Sequence, residues 1–210
     1  MTATHQNFDS APIHAEGIAG EIWADLMEGN QRFQSGRPVQ RQLVARRTEL
    51  ASQQSPPAII LACSDSRVCP SLIFDKNLGD LFVIRTAGNV ADPVALGSIE
   101  FAAEYLRSRV LVIMGHEKCG AVEAAASGSQ AASPNLESIV AKVRPAIDMV
   151  KGKADGDGLL RLAERANVHI SAADILSKSP LLQKKVSDGD IALIKAIYHL
   201  STGQVIRLTD

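Results

Sequence analysis

Apolar residues fall along this chain in two patterns, solid short runs and longer stretches with a helical repeat. The solid runs are Ala58 to Ala62, Leu81 to Arg85, Val110 to Met114 and Ile191 to Tyr198. They have strand length, are rich in branched side chains, and mostly lack an alternating polar face. That pattern predicts strands buried on both sides in a parallel sheet. A turn at Thr202-Gly203 precedes Gln204 to Leu208, which reads as a fifth strand folding back antiparallel. Between the runs, apolar residues recur every three or four positions. Helices are predicted over Glu21 to Phe33, Val39 to Gln53, Asp92-Pro93 to about Arg107, Ala121 to Ala126, Asn135 to Val150 and Pro180 to Val186, with one or two over Leu159 to Leu176. Gly29 interrupts the first pattern, Pro145 predicts a break or kink, and Pro70 to Asn77 reads as a loop or short helix. Strands separated by helices make an α/β fold, a mainly parallel sheet of four strands plus an antiparallel C-terminal edge strand, flanked by helices. The domain spans 18–210, after a polar, flexible segment over 1–17.

Composition narrows the partners. The chain has 210 residues, 22 Lys plus Arg, 23 Asp plus Glu and a net charge of -1. A chain of this length can hide roughly 70% of its unfolded surface, enough for one real core. The balanced, dispersed charge argues against nucleic acid and anionic membranes as partners. No stretch reaches the ~20 apolar residues of a membrane span, and the start lacks the pattern of a secretory signal. Three cysteines, Cys63, Cys69 and Cys119, argue against a disulfide framework and for reduced thiols in the cytoplasm.

The candidate chemistry lies where two strands end. The first strand runs into Cys63-Ser64-Asp65-Ser66-Arg67, and the third into Gly115-His116-Glu117-Lys118-Cys119-Gly120. Ligands of open parallel sheets gather beyond such carboxyl ends. Cys63, His116 and Cys119 are good zinc ligands, and three of them leave one coordination place for water or for Asp65. A cysteine that ends a buried strand is often only a small hydrophobe, but the three residues together favour a metal. Asp65 stands two residues from Cys63, on the same side of an extended chain. Arg67 can fix it with paired hydrogen bonds, either as a structural ion pair or to aim a carboxylate at the reacting water. Cys69 reads as a space-filler. His5, His14, His169 and His199 show no shared role, His199 being a weak proton-shuttle candidate near the sheet rim. Gln54, Phe82, Gly88 and Asn89 carry no signal of their own beyond position.

These two motifs together resemble the β-class carbonic anhydrases of bacteria and plant chloroplasts. The likeness extends to Gly29-Asn30-Gln31-Arg32-Phe33, to Gly79 through Asn89, to Ser98-Ile99-Glu100-Phe101-Ala102 and to Tyr198 through Gly203. The resemblance implies a zinc-dependent lyase, with Zn2+ (one per chain) on Cys63, His116 and Cys119. It implies Asp65 and Arg67 as the catalytic pair, and reversible hydration of carbon dioxide to bicarbonate and a proton. It further implies that Gln54 contacts substrate across a dimer interface and marks the form with water rather than Asp65 on zinc. Phe82 and Ala87 would line a small apolar pocket, with Gly88 near the substrate. Phe101 departs from the family, where many members have tyrosine. The family's homodimers, or dimers of dimers, pack the first helix on a partner. Two other readings stay open: action on a related small cumulene such as carbon disulfide, and a non-catalytic protein stabilised by zinc.

Overall fold

A computed structural model describes residues 17–209, so the segment expected to be flexible lies almost wholly outside the described residues. Five strands form one sheet: β1 (Ala58–Cys63), β2 (Leu81–Thr86), β3 (Val110–His116), β4 (Ala192–Tyr198) and β5 (Val205–Arg207). Their order is β2-β1-β3-β4-β5, with β5 antiparallel to β4 and all other pairs parallel. The helices are α1 (Ile18–Gln34), α2 (Leu43–Glu49), α3 (Pro70–Ile73), α4 (Pro93–Glu104), α5 (Gly120–Ser127), α6 (Pro134–Val150), α7 (Gly156–Lys178) and α8 (Pro180–Ser187).

β1 and β3 lie in the middle and are buried along their whole length. That is why their sequences read as unbroken apolar runs. Side chains alternate between the faces of a strand. Ile59, Leu61, Leu111 and Ile113 pack with Ile99 of α4, Ile175 of α7 and Leu182 of α8 on one face. Ile60, Val112 and Met114 pack with Leu26 of α1 and with Ile73 and Phe74 on the other. The apolar face of α1 thus lies against its own sheet. After β1 the chain passes to one side of the sheet, through α3 into β2; after β3 it passes to the other, through α5, α6, α7 and α8 into β4. The two loops diverge at the carboxyl ends of neighbouring strands. Such a switch point opens the crevice in which doubly wound folds hold ligands.

The predicted strands and helices match closely in type, with three differences. The helix expected over Val39 to Gln53 is only the seven residues of α2, and none of them is buried. So short a helix gains little by itself. The residues before it bind a side chain instead: Val39 donates its N–H to Asp75 Oδ2 at 3.2 Å, and Arg41 pairs with Asp75 Oδ1. Second, α6 runs unbroken through Pro145, with Val143 and Ala146 buried on either side of the proline. Packing against α5 and α7 outweighs the lost hydrogen bond. Third, α7 is one helix of 23 residues that starts at Gly156 and ends at Lys178, beyond both bounds expected for it. Asp92 caps α4 as expected, accepting from Ala95 N at 2.7 Å.

Gly29 breaks the helical pattern for a reason of space. A Cβ there would sit 1.8 Å from the carbonyl oxygen of Phe74, so only glycine lets α1 lie on the end of α3. Next to it, the fully buried Asn30 donates to the carbonyls of Ile73 (3.0 Å) and Gly203 (2.8 Å) and accepts from Val205 N at 2.9 Å. One side chain thus fastens α1, α3 and the turn into β5.

The Asp75 side chain is 2% exposed and also accepts from Arg32 Nε at 2.6 Å. Burial pushes its carboxyl up, but the hydrogen bonds from Arg32, Arg41 and Val39 N–H outweigh burial and hold it below the ordinary range. A depressed folded value means stability that is present above the unfolded pKa of about 3.9 and is lost as the pH falls below it. Asp75→Asn is therefore expected to lower stability by about 3 kcal/mol at neutral pH, as for a buried pair that loses one partner. Urea unfolding should show the gap between variant and wild type closing below about pH 4.

Candidate metal centre

The parallel pairing of β1 with β3 sets Ala62 beside Met114, so both strands run out at the same level. Cys63 is the last residue of β1 and His116 the last of β3, while Cys119 precedes the first turn of α5. Their ligand atoms lie within 4.8 Å of one another, and all three residues are buried. Among the described residues this is the one such group of metal-ligating side chains.

The protonation of these groups fits a metal. His116 Nδ1 lies 2.8 Å from the carbonyl oxygen of Glu117. A carbonyl only accepts, so Nδ1 carries the hydrogen and Nε2 keeps its lone pair. Nε2 is buried and has no hydrogen-bond partner. Cys63 Sγ accepts backbone N–H groups from Asp65 at 3.4 Å and Gly88 at 3.3 Å. A hydrogen bond from the Cys119 thiol outweighs burial and, with His116 and these amides, pulls the Cys63 thiol well below its ordinary range. Cys119 is pushed up, because it would have to ionise beside that thiolate and out of water. Burial opposes charge on His116, yet Cys63, the Glu117 carbonyl and Asp65 outweigh it and raise the imidazole's pKa. Two buried sulfurs and one imidazole nitrogen thus need a proton or a cation between them. Two thiolates and a neutral imidazole are a donor set that suits Zn2+, and three protein ligands leave a coordination place open.

Asp65 and Arg67 stand at the rim of this cluster. Arg67 donates from Nε and its own backbone N–H to Asp65 Oδ1, both at 2.9 Å, and from Nη2 to Oδ2 at 2.7 Å. The paired hydrogen bonds hold the Asp65 carboxyl far below the carboxylate range. Arg67 Nη2 also reaches the Lys118 carbonyl at 3.2 Å, joining the two ligand-bearing loops. A cavity of about 520 Å³ opens beside it, lined by Arg67, Glu117, Lys118, Arg161 and Glu164 among others.

Gly88 lies in a 3-10 turn, Ala87–Asn89, directly after β2, with Ala87 leading into it. Gln54 and Phe82 lie elsewhere in the chain. Gln54 is exposed before β1, at the opposite end of that strand from Cys63. Phe82 pairs with Ile59, four residues or roughly 13 Å before the strand end. It packs against Phe101 with ring centroids 6.3 Å apart. Cys69 is half-buried and outside the cluster.

Residues beyond the three ligands and the Asp65–Arg67 pair support the site. Arg85 of β2 donates from Nε to the Cys63 carbonyl at 3.0 Å and from Nη2 to the Asp65 carbonyl at 2.6 Å. His199 Nδ1 lies 2.6 Å from Glu117 Oε1, so this histidine at the end of β4 pairs with the residue after a ligand. Glu164 of α7 accepts from Cys119 N at 3.3 Å, although burial pushes its carboxyl up. One signal for α7 was available in the sequence. Glu164 and Asn167 fall among Ala163, Ala166, Val168, Ala172 and Ile175 on the helix's apolar side, and buried polar groups there need partners.

Taken together, a doubly wound sheet with two cysteines and a histidine at its switch point defines an α/β metalloprotein with a three-residue donor set for zinc. The sequence profile of the family described as carbonic anhydrase matches residues 58–205. Carbonic anhydrase 2 of Mycobacterium tuberculosis is 38% identical over 188 residues, covering 88% of this chain and 90% of that protein. The carbonic anhydrase of Mycolicibacterium smegmatis is 36% identical over 187 residues, covering 87% and 90%. Among solved structures, the β-carbonic anhydrase CcaA superposes with a TM-score of 0.71 at 27% identity, covering 89% of this chain and 95% of its own. The β-carbonic anhydrase CafA of Aspergillus fumigatus gives 0.72 at 25% identity, covering 90% and 86%. The chain belongs to the carbonic anhydrase family, in its β class.

Removal of one sulfur tests the donor set. Cys63→Ser and Cys119→Ser are expected to lose stoichiometric zinc while Cys69→Ser keeps it, as read by elemental analysis of the purified proteins.

Proposed function

We propose that this protein catalyses the reversible hydration of carbon dioxide to bicarbonate and a proton at a zinc centre. The observation that carries this reading is the buried Cys63–His116–Cys119 cluster with an unpartnered Nε2, beside a carboxylate pinned by an arginine. Zinc, when bound, would supply the Lewis acidity that brings the pKa of a water to about 7.

The residues of the chain would do the rest. Asp65, the acceptor of the catalytic pair, holds the O–H of the attacking water. Oδ1 already accepts two hydrogen bonds and Oδ2 one, so Oδ2 has the spare lone pair for it. A water whose hydrogen is held there directs its own lone pair at the carbon of carbon dioxide. Arg67 keeps Asp65 ionised and fixed, so the carboxylate accepts that hydrogen bond without drawing the proton off. The new C–O bond forms as one C=O bond of carbon dioxide opens, and the water's other proton leaves through solvent or buffer. The hydrogen bonds that commit both Asp65 carboxylate oxygens to Arg67 support the form with its fourth place open to water rather than filled by Asp65.

In this reading Gln54, Phe82 and Ala87 belong to the substrate pocket, Gln54 and Phe82 being contributed by a second copy of the chain, and Gly88 orients substrate. The support is an apolar surface along the edge strand β2, where Phe101 is 45% and Tyr105 73% exposed beside Phe82. Leu43 and Val44 of α2 are also bare. A homodimer, or a dimer of dimers, would cover them. No helix among the described residues is long and apolar enough to cross a membrane. The need for reduced Cys63 and Cys119 supports a cytoplasmic location.

Stopped-flow hydration of carbon dioxide by zinc-loaded protein tests the assignment. Rapid turnover is expected, and Asp65→Asn should lower kcat/KM by roughly 10²- to 10⁴-fold with zinc content unchanged. Fully metallated wild-type protein that stays inactive from neutral to alkaline pH would contradict it, and carbon disulfide would then be tried as substrate.

A further inference from the structure

The Gly88 amide that meets Cys63 Sγ is held from behind by a buried side chain. Asn167 of α7 is 1% exposed and donates from Nδ2 to the Gly88 carbonyl at 2.8 Å. The same Nδ2 lies 3.5 Å from Asn89 Oδ1, and Asn89 Nδ2 lies 3.4 Å from Ser171 Oγ, one helical turn beyond Asn167. Asn89 and Ser171 are also buried. The loop they grip has an unusual backbone. Gly88 has φ +71° and Asn89 φ +47°, two successive residues in the left-handed region. A Cβ on Gly88 would meet Ala121 Cβ at 2.9 Å and Val143 Cγ2 at 3.2 Å, so α5 and α6 wedge the loop from the other side.

Asn167 Oδ1 is buried with no partner. An amide could exchange its oxygen and nitrogen by turning over, but the Gly88 carbonyl accepts only an N–H, which fixes the orientation. An orphaned buried oxygen is uncommon in native structures and calls for an explanation. Here the donor is needed on one side of the amide, and nothing satisfies the other.

We propose that Asn167 is a positioning residue of the metal centre: through the Gly88 carbonyl it sets the left-handed loop so that the Gly88 N–H points at Cys63 Sγ. This rests on the reading of Cys63, His116 and Cys119 as zinc ligands. Partners of ligands orient them and tune the metal, and their loss commonly costs 10- to 100-fold in metal affinity. Without the Asn167 donor, the Gly88 carbonyl is buried unpaired and the loop moves to satisfy it. The Gly88 N–H then leaves the sulfur. A thiolate that loses a hydrogen bond holds its electrons less tightly, so charge transfer from it to a bound metal takes less energy, while a sulfur no longer held in place by the loop lets the metal go faster.

The test uses the full-length protein loaded with cobalt(II) for spectra and with zinc for release to a chelator. Asn167→Leu keeps the branched shape and removes the donor. Asn167→Ser is too short to reach Gly88 and carries the test if the leucine variant does not fold. Ile175→Val, in the same helix and fully buried away from the loop, reports what a plain loss of packing does. Each foldable Asn167 variant is expected to move the sulfur-to-cobalt absorption band to longer wavelength and to release zinc about tenfold faster. Ile175→Val should keep the wild-type band and release rate while its thermal midpoint falls. Asn167 variants that behave like Ile175→Val would overturn the positioning role. Wild-type protein that takes up cobalt without any sulfur-to-cobalt band would instead overturn the ligand reading beneath it.

Discussion

Two buried sulfurs and an imidazole nitrogen whose lone pair meets no donor converge on one point, and that convergence needs a positive charge at its centre. Without one, ionisation of Cys63 opposes ionisation of Cys119. A divalent cation removes the conflict by taking both thiolates and the neutral imidazole as ligands. The surrounding structure serves this arrangement. β1 and β3 pair in parallel register, so residues 53 positions apart in sequence end side by side, and their loops diverge to opposite faces of the sheet. The crevice between those loops is where, in the proposed reaction, a small reactant would reach the fourth coordination place.

Around the ligands, hydrogen bonds from three elements fix the loops that bear them. Arg85 of the edge strand holds the backbone at Cys63 and Asp65. Arg67 fixes the Asp65 carboxylate and links it to the loop between His116 and Cys119. Glu164 and Asn167, one turn apart on α7, reach that second loop and the Gly88 loop respectively. The rigidity that the proposed water-aiming role asks of the Asp65 carboxylate thus comes from contacts distributed over β2, the loop after β1 and α7. A site built this way tolerates an exposed Arg67, because the Asp65 carboxylate it holds is itself mostly shielded.

Much of this was legible in the chain because the signals were local. A fully buried strand must be apolar throughout, so β1 and β3 announced themselves, and the residues at their ends named the metal ligands. Asp65 and Arg67 stand close enough in sequence that alternation alone put them on one side. The pattern over Val39 to Gln53 predicts too long a helix because it is weak and its first residues are recruited by Asp75, a contact between positions 34 to 36 residues apart. Pro145 predicts a break or kink, and the break does not occur because the packing that carries α6 through the proline is tertiary. Arg85, Glu164 and Asn167 were passed over for the same reason, since each acts on backbone atoms 20 or more positions away. Gln54 and Phe82 carry no signal within one chain, and the pocket proposed for them needs an assembly of two.

The most direct measurement is X-ray absorption at the zinc edge of the purified, zinc-loaded protein in solution. Two sulfurs at about 2.3 Å and two nitrogen or oxygen neighbours at about 2.0 to 2.1 Å are predicted, matching Cys63, Cys119, His116 and one further oxygen. A shell of three or four sulfurs, or of nitrogen and oxygen alone, would contradict the assignment of the centre.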